Sequence, residues 1–320
     1  MTSTTGAQAN ASWVERSTQI RIVLGEFCLG HVRFRGATLT GLDWRRPIEI
    51  DEEAIERHLQ SGAEVVYLAS LPTTERLPRL CFRKHWVRYV PARIGRHYID
   101  LEGTFQDYLR SFAAKQRNNL TRPVRRFIEA SEGTVDFREY RHPDDMSAFY
   151  EAASPVTVKT FQHRLLKSGL PQSDDFRRKL LELAELDKFR GYVLFHDKSP
   201  IAFGYCLSQN DILTYQVSGY DPDFRQYSPG TLLLYYMLER VFAERRFRIF
   251  DFGTGDAFYK SFFSTGVAPC AVVYHFAYTP KNLAFLGAHL AAWLISTAIV
   301  KTLSALGIRD FVKKAFRRVG

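Results

Sequence analysis

The chain has 320 residues, 46% hydrophobic and 14% aromatic, which allows two domains with appendages and excludes a wholly disordered or collagen-like polymer. Its formal net charge of +10 calls for an anionic partner: a phosphorylated cofactor, lipid head groups or nucleic acid, the last lacking any recognisable binding motif to carry it. Cys28, Cys81, Cys206 and Cys270 are scattered with no C-x-x-C pair, so neither a zinc knuckle nor a disulfide framework is expected, and a reducing cytosol fits best.

Residues 1–17 begin rich in Ser, Thr, Ala and Gly, with no basic residue ahead of an apolar run. That pattern predicts a disordered leader and not a signal peptide. Residues 18–98 read as a small α/β unit. Residues 19–24, 64–69 and 80–90 are β-branched or aromatic runs, and residues 51–60 open acidic with Ile55 and Leu59 at helical spacing.

From residue 99 the pattern turns helical. Thr104 and Asp107 have capping-box spacing, ahead of a face formed by Phe105, Tyr108, Leu109 and Phe112. A second helix buries Leu120, Val124, Phe127 and Ile128, with Thr121 as its cap and Pro123 in its first turn. Its other face carries Arg117, Arg122, Arg125 and Arg126, readable as a solvated surface or as an anion site. Between Cys81 and Ala130, eleven basic residues face four acidic ones.

A helix from Met146 and another from Ser173 follow. Residues 190–196, 201–208 and 212–219, separated by Asp197-Lys198-Ser199-Pro200 and Asn210-Asp211, predict an antiparallel meander. Residues 231–246 form a helix apolar over more than half its circumference, residues 248–252 a strand, 257–264 a short helix and 270–278 a last strand. Within this part, residues 215–260 run strand, small-residue turn, helix, strand. Such a turn leaves backbone N–H groups and a positive helix end facing one way, which suits a phosphate.

That element order resembles the GNAT acyltransferase fold. The family's turn, Q/R-x-x-G-x-G/A, is matched by Arg225-Gln226-Tyr227-Ser228-Pro229-Gly230, with Ser in place of the first Gly. Residues 99–278, through YIDLEGTFQDYL, KQRNNLTRPVRR, GYDPDFRQYSPG and DFGTGDAFYKSFF, resemble the GNAT-like branch found with cellulose and exopolysaccharide synthesis, related to Fem-type aminoacyl transferases. The resemblance implies an α/β (α+β) fold with a GNAT-like mixed sheet flanked by helices at residues 99–280. It also implies a tandem arrangement in which residues 18–98 are a partial first copy.

It further implies acyl transfer, with acetyl-CoA or another acyl-CoA as co-substrate, to an amine or hydroxyl of a saccharide or small molecule, with no metal. The N–H groups of Ser228, Gly230 and Thr231 would hold the pyrophosphate, with Arg225 and Lys260 as charge partners. The pantetheine arm would lie along Gln216, Val217, Ser218 and Gly219, where that strand splays from residues 248–251. Tyr259 stands where the superfamily often has the acid that protonates the leaving thiolate. Asp221, Asp251, Asp256 and His163 are the choices for a base, Asp251 and Asp256 reading also as caps of turns and helix starts; Thr157, Lys159, Thr160, Gln162 and Asp251 are the choices for the acceptor pocket, the first four reading equally as an ordinary loop. Two other readings use the same fold: aminoacyl transfer from tRNA, drawing on the basic helix around Arg122, and a non-catalytic scaffold of a polysaccharide synthase. Asp251-Phe252-Gly253 is not a kinase signature, because no H-R-D loop or glycine-rich nucleotide loop accompanies it.

Residues 281–320 form a tail. Residues 283–300 are an apolar run slightly short of a membrane span, and residues 308–319 alternate apolar and basic positions as a surface-lying helix does. Peripheral contact of a cytoplasmic protein with an anionic membrane is one expectation there, and a true span or packing against the domain or a partner are the others.

Overall fold

The computed structural model describes residues 12–24, 27–40, 44–45, 48, 51–160, 169–255 and 257–305. Two compact units divide the chain: residues 95–268, and residues 1–94 with 269–320. The boundaries fall at 94 and 268, where the sequence reading cuts at 98 and 280. The reason is strand pairing, since β11 (Gly266–Ala277) joins β3 (Val65–Pro72) from the opposite end of the chain.

In the first unit, β1 (Ser12–Leu24) and β2 (Phe27–Thr40) make a long antiparallel hairpin, and β2 runs parallel to β3. Residues 12–17, expected in the leader, are strand, because each faces a partner between Arg35 and Thr40. Helix α1 (Glu52–Gln60), capped by Asp51, sets Ile55 against Val66 and Trp86. β4 (Leu80–Phe82) pairs with the start of β5 (Trp86–Asp100). Helix α8 (Pro280–Ala305) packs Phe285 and Leu286 onto Phe34, Tyr274 and Phe276.

In the second unit the sheet runs from the end of β5 through β10 (Ile249–Asp251), β9 (Ile212–Tyr220), β8 (Ser199–Gln209) and β7 (Phe189–His196) to β6 (Phe137–Tyr140). All pairs are antiparallel except β9 with β10. β7 is buried along nearly its whole length because both faces are covered, so its apolar residues do not alternate with polar ones. Tyr192 and Leu194 meet α2 (Phe105–Ser111), α3 (Ala114–Ala130) and α6 (Pro229–Glu244). Phe189, Val193 and Phe195 meet α4 (Met146–Lys159) and α5 (Asp174–Glu185) on the other face.

The Thr104–Asp107 capping box forms as the spacing predicts. α3 differs: it starts at Ala114, Thr121 is internal with its hydroxyl on the Arg117 carbonyl at 3.0 Å, and Pro123 lies mid-helix. Burial of Leu120, Val124 and Phe127 outweighs the lost proline hydrogen bond. The apolar and basic segment at residues 308–319 lies outside the described residues.

Candidate active site

β9 and β10 pair only from Ile212↔Ile249 to Thr214↔Asp251. Beyond that rung β10 ends, while β9 continues to Tyr220 beside β8. The β8–β9 ladder also slips by one residue, since Tyr205 faces Val217 and Cys206 faces Tyr215, leaving Gln216 as a bulge. Residues 215–220 therefore present a strand edge to a gap, and a bulge re-aims the N–H groups beside it.

The fork is locked by Asp251. It has no exposed surface and accepts both Arg96 Nε (3.1 Å to each oxygen) and Arg96 Nη2, along with Gly253 N–H at 2.9 Å and the Thr214 hydroxyl at 3.3 Å. Each acceptor bond is charge-assisted, which suits a carboxylate taken wholly out of water. Asp251, expected in the acceptor pocket, instead holds the last rung before the strands part.

Where β9 ends, Asp221 caps a 3-10 turn (Pro222–Tyr227) by accepting Asp223 N–H at 3.1 Å. Its other oxygen takes Lys159 Nζ at 2.6 Å. With both oxygens engaged and the side chain buried, Asp221 builds the turn and is not an open base. Phe127 and His196 pack on the turn, the Tyr227 ring lying 5.6 Å from Phe127 and 5.2 Å from His196, and the Phe224 ring 5.8 Å from His196.

Ser228 follows in the left-handed conformation, φ 57° and ψ 55°. The family's first glycine stands here, and its conformational cause is plain, since only glycine enters that region without steric cost. Ser228 N–H donates to the Arg225 carbonyl at 3.0 Å, and Thr231 N–H to the Ser228 carbonyl at 2.9 Å. Two of the three N–H groups expected to face a phosphate are thus turned inward, and Pro229 has none. Gly230, second residue of α6, has no carbonyl four residues back inside the helix, so its N–H is the helix-end donor. A Cβ on Gly230 would come no nearer than 3.7 Å to any atom, that being Tyr220 Cδ1, and its φ is ordinary. Neither packing nor backbone strain requires glycine there; its lack of a side chain leaves the approach to the N–H open. Arg190, fully buried, fixes the other end of α6 by donating to Glu244 Oε1 at 2.6 Å.

The fork, the turn and α6 enclose a cavity of about 580 Å³. Of the predicted site residues it gathers Thr160, Ser218, Gly219, Arg225, Ser228, Gly230, Thr231 and Tyr259. Gly219 lets Thr160 reach this wall, because a Cβ would lie 2.4 Å from Thr160 Cγ2 and 2.8 Å from Phe203. Tyr259, on α7 (Phe258–Phe263), is 37% exposed, with its ring edge-on to Phe252 at 6.0 Å. Burial raises its pKa above the usual phenol value, so near neutral pH its hydroxyl is a proton donor. Tyr215, also lining the cavity, is raised further by burial.

The cavity does not gather Gln216 or Val217, the first of which is exposed at the bulge. Lys260 is buried and donates to the Thr254 carbonyl at 2.7 Å, closing the loop ahead of α7, where a phosphate partner was expected. Thr157 is buried with its hydroxyl on Ala153. Asp256, Gln162 and His163 lie outside the described residues. Among the described residues no group of His, Cys, Asp or Glu could hold a metal ion.

A second cavity, about 250 Å³, adjoins the first at Ser228 and is lined by Asn119, Arg122, Pro123, Arg126, Gln226 and Tyr227. Neither arginine forms an ion pair among the described residues. The sequence places this pair on the basic face of α3, readable as a solvated surface or an anion site. Tyr220, Leu233, Leu234 and Phe263, which line the first cavity, had none, because their periodicity reads as core.

Residues 114–261 match the family model described as "Acetyltransferase (GNAT) domain". No curated protein matches the sequence. Among solved structures, the C-terminal domain of a putative lysylphosphatidylglycerol synthetase from Agrobacterium fabrum superposes with a TM-score of 0.50 at 12% identity, covering 84% of this chain and 85% of that one. FemX superposes with a TM-score of 0.50 at 10% identity, covering 85% and 90%. At such identity these likenesses show the fold alone, a GNAT-like mixed sheet flanked by helices, and residues 114–261 are similar to the GNAT acyltransferase domain.

Proposed function

We propose that this protein transfers an acyl group, acetyl in the simplest case, from acyl-CoA to an amine or hydroxyl acceptor. The observation that carries the reading is the fork: a bulged strand edge at residues 215–220 opens beside the Gly230 helix end and Tyr259, around one cavity. An amide-bearing pantetheine arm can pair with such an edge as an added strand. The residues suit the donor chemically. Gly230 N–H and the helix dipole favour a pyrophosphate, and Arg225, Arg122 and Arg126 add positive charge on either side of Ser228.

The acceptor's lone pair attacks the thioester carbonyl, the C–S bond breaks, and the departing thiolate takes the Tyr259 proton while the acceptor loses one to solvent or to a base. A strand N–H at the bulge stabilises the carbonyl oxygen as it gains charge. The resemblance to the polysaccharide-associated branch makes a sugar amine or hydroxyl the first acceptor to try.

Acetyl-CoA is expected to raise the melting temperature of the wild-type protein, and Gly230→Glu, which puts a carboxylate where the pyrophosphate belongs, to remove that shift. No shift of the wild type with any short acyl-CoA sinks the reading. Aminoacyl transfer from tRNA is the second reading, favoured by the unpaired Arg122 and Arg126 and in keeping with the FemX and lysylphosphatidylglycerol synthetase likenesses. Retention of charged tRNA at moderate salt without CoA binding would select it.

A further inference from the structure

Helix α8 has no role in the proposed acyl transfer. One side of this helix is part of the fold. Asn282 Nδ2 donates to the Glu64 and Ala277 carbonyls at 2.9 Å, Lys281 pairs with Glu64 at 2.7 Å, and the Tyr89 hydroxyl meets His289 Nδ1 at 2.8 Å. The other side is bare. Leu283, Leu294, Ile295 and Ile299 are 46%, 59%, 51% and 46% exposed, and every exposed position from 283 to 299 is apolar. A continuous apolar stripe of this kind marks an interaction surface.

Pro280–Ile299 is long and apolar enough to cross a bilayer. Crossing would strip the helix from Phe34, Tyr274 and Phe276 and leave Tyr89, Glu64 and the Ala277 carbonyl without their partners. The packing therefore favours a helix lying along a membrane over one that spans it.

Beside the stripe is a cavity of about 530 Å³ lined by Arg76, Arg79, Arg93 and Trp293, with no carboxylate among its lining residues. Arg79 stacks 3.7 Å from the Trp293 ring, and Arg93 Nη2 donates to the Leu77 carbonyl at 2.7 Å. Arg76 and Arg93 are exposed. Three guanidinium groups around an indole, next to an apolar stripe, match the depth order of an anionic lipid leaflet: phosphate, interface, hydrocarbon. We infer that the α8 face docks in the plane of a membrane rich in anionic phospholipid, with the cavity at Arg76, Arg79 and Arg93 receiving the head-group phosphate.

The test is sedimentation of the full chain with vesicles of phosphatidylcholine alone or with one third phosphatidylglycerol. Binding to the anionic vesicles is expected. Arg76→Ala with Arg93→Ala should weaken it about thirtyfold, from about 1 kcal/mol per arginine near an anionic leaflet, and flatten its salt dependence. Leu294→Glu with Ile295→Glu, both on the exposed face, should abolish binding with the melting temperature unchanged. The inference is overturned by a wild type that stays in solution, by charge variants that bind as tightly as the wild type, or by a stable dimer that the Leu294 and Ile295 variants dissociate without any vesicle binding. None of these outcomes depends on CoA, so the docking face and the acyl-transfer reading stand or fall separately.

Discussion

The two units leave different kinds of group without a partner. In residues 95–268 the unpaired element is backbone, a strand edge at 215–220 left open where β10 stops at Asp251. In residues 1–94 with 269–320 the β1–β2 ladder runs from Ser12↔Thr40 to Leu24↔Phe27 with β1 at the sheet edge, and the element added to that edge is side chain, the exposed apolar face of α8. Backbone N–H and C=O groups are directional, so an open edge selects a ligand by hydrogen-bond register. Apolar surface is not directional, so a bare helix face selects a phase. On the two proposals made above, the same fold chemistry would serve a specific small-molecule site in one unit and a docking surface in the other.

The largest expected effect breaks the fork. Arg96→Ala strands the buried Asp251 carboxylate, and losing one partner of a buried ion pair costs about 3–5 kcal/mol. Denaturant unfolding should show that loss. A stability change below about 1 kcal/mol would mean that Asp251 does not hold the strands at their parting. Next comes Tyr259→Phe, which keeps the ring beside Phe252 and removes only the hydroxyl with its proton. Its kcat should fall about a hundredfold or more with acyl-CoA binding intact, and an unchanged kcat assigns Tyr259 to packing.

A pH-dependent effect belongs to the other unit. His275, buried edge-on against Trp86 at 5.0 Å, has its pKa lowered from 6.5 to about 3, burial being the main cause and the Arg88 charge adding to it. Its folded pKa lies below its unfolded one, so the unfolded chain binds the extra proton. The stabilising contribution is whole above pH 6.5 and is lost as pH falls toward 3, by up to about 1.4 kcal/mol per pH unit. His275→Leu should flatten that slope when unfolding is followed across pH 4–7; an equal slope in both proteins moves the acid sensitivity to other groups.

Much of the fold was legible because one residue pattern admits one local structure. The Thr104–Asp107 box, the Asp197 and Asn210 turns and the apolar circumference of α6 each read directly. Other features were hidden because their cause is tertiary. Pro123 argued for a helix start, and only the burial of Leu120, Val124 and Phe127 explains why α3 runs through it. Nothing near Gly266 signals that β11 pairs with β3 some two hundred residues earlier. At the site, one cavity gathers the turn residues and Tyr259 that sequence order brings together, whereas Asp221, Asp251 and Lys260 are engaged by bonds within the protein. A charged side chain in a motif looks the same in one dimension whether its partner is a ligand or the protein.

The central claim, that the open edge of β9 and the start of α6 bind the acyl donor, is tested most directly by amide hydrogen exchange of the full chain with and without acetyl-CoA. Slowed exchange confined to residues 216–220 and to the Gly230 turn, with residues 283–299 unchanged, is the predicted result. Unchanged exchange at 216–220 under saturating acetyl-CoA would contradict it.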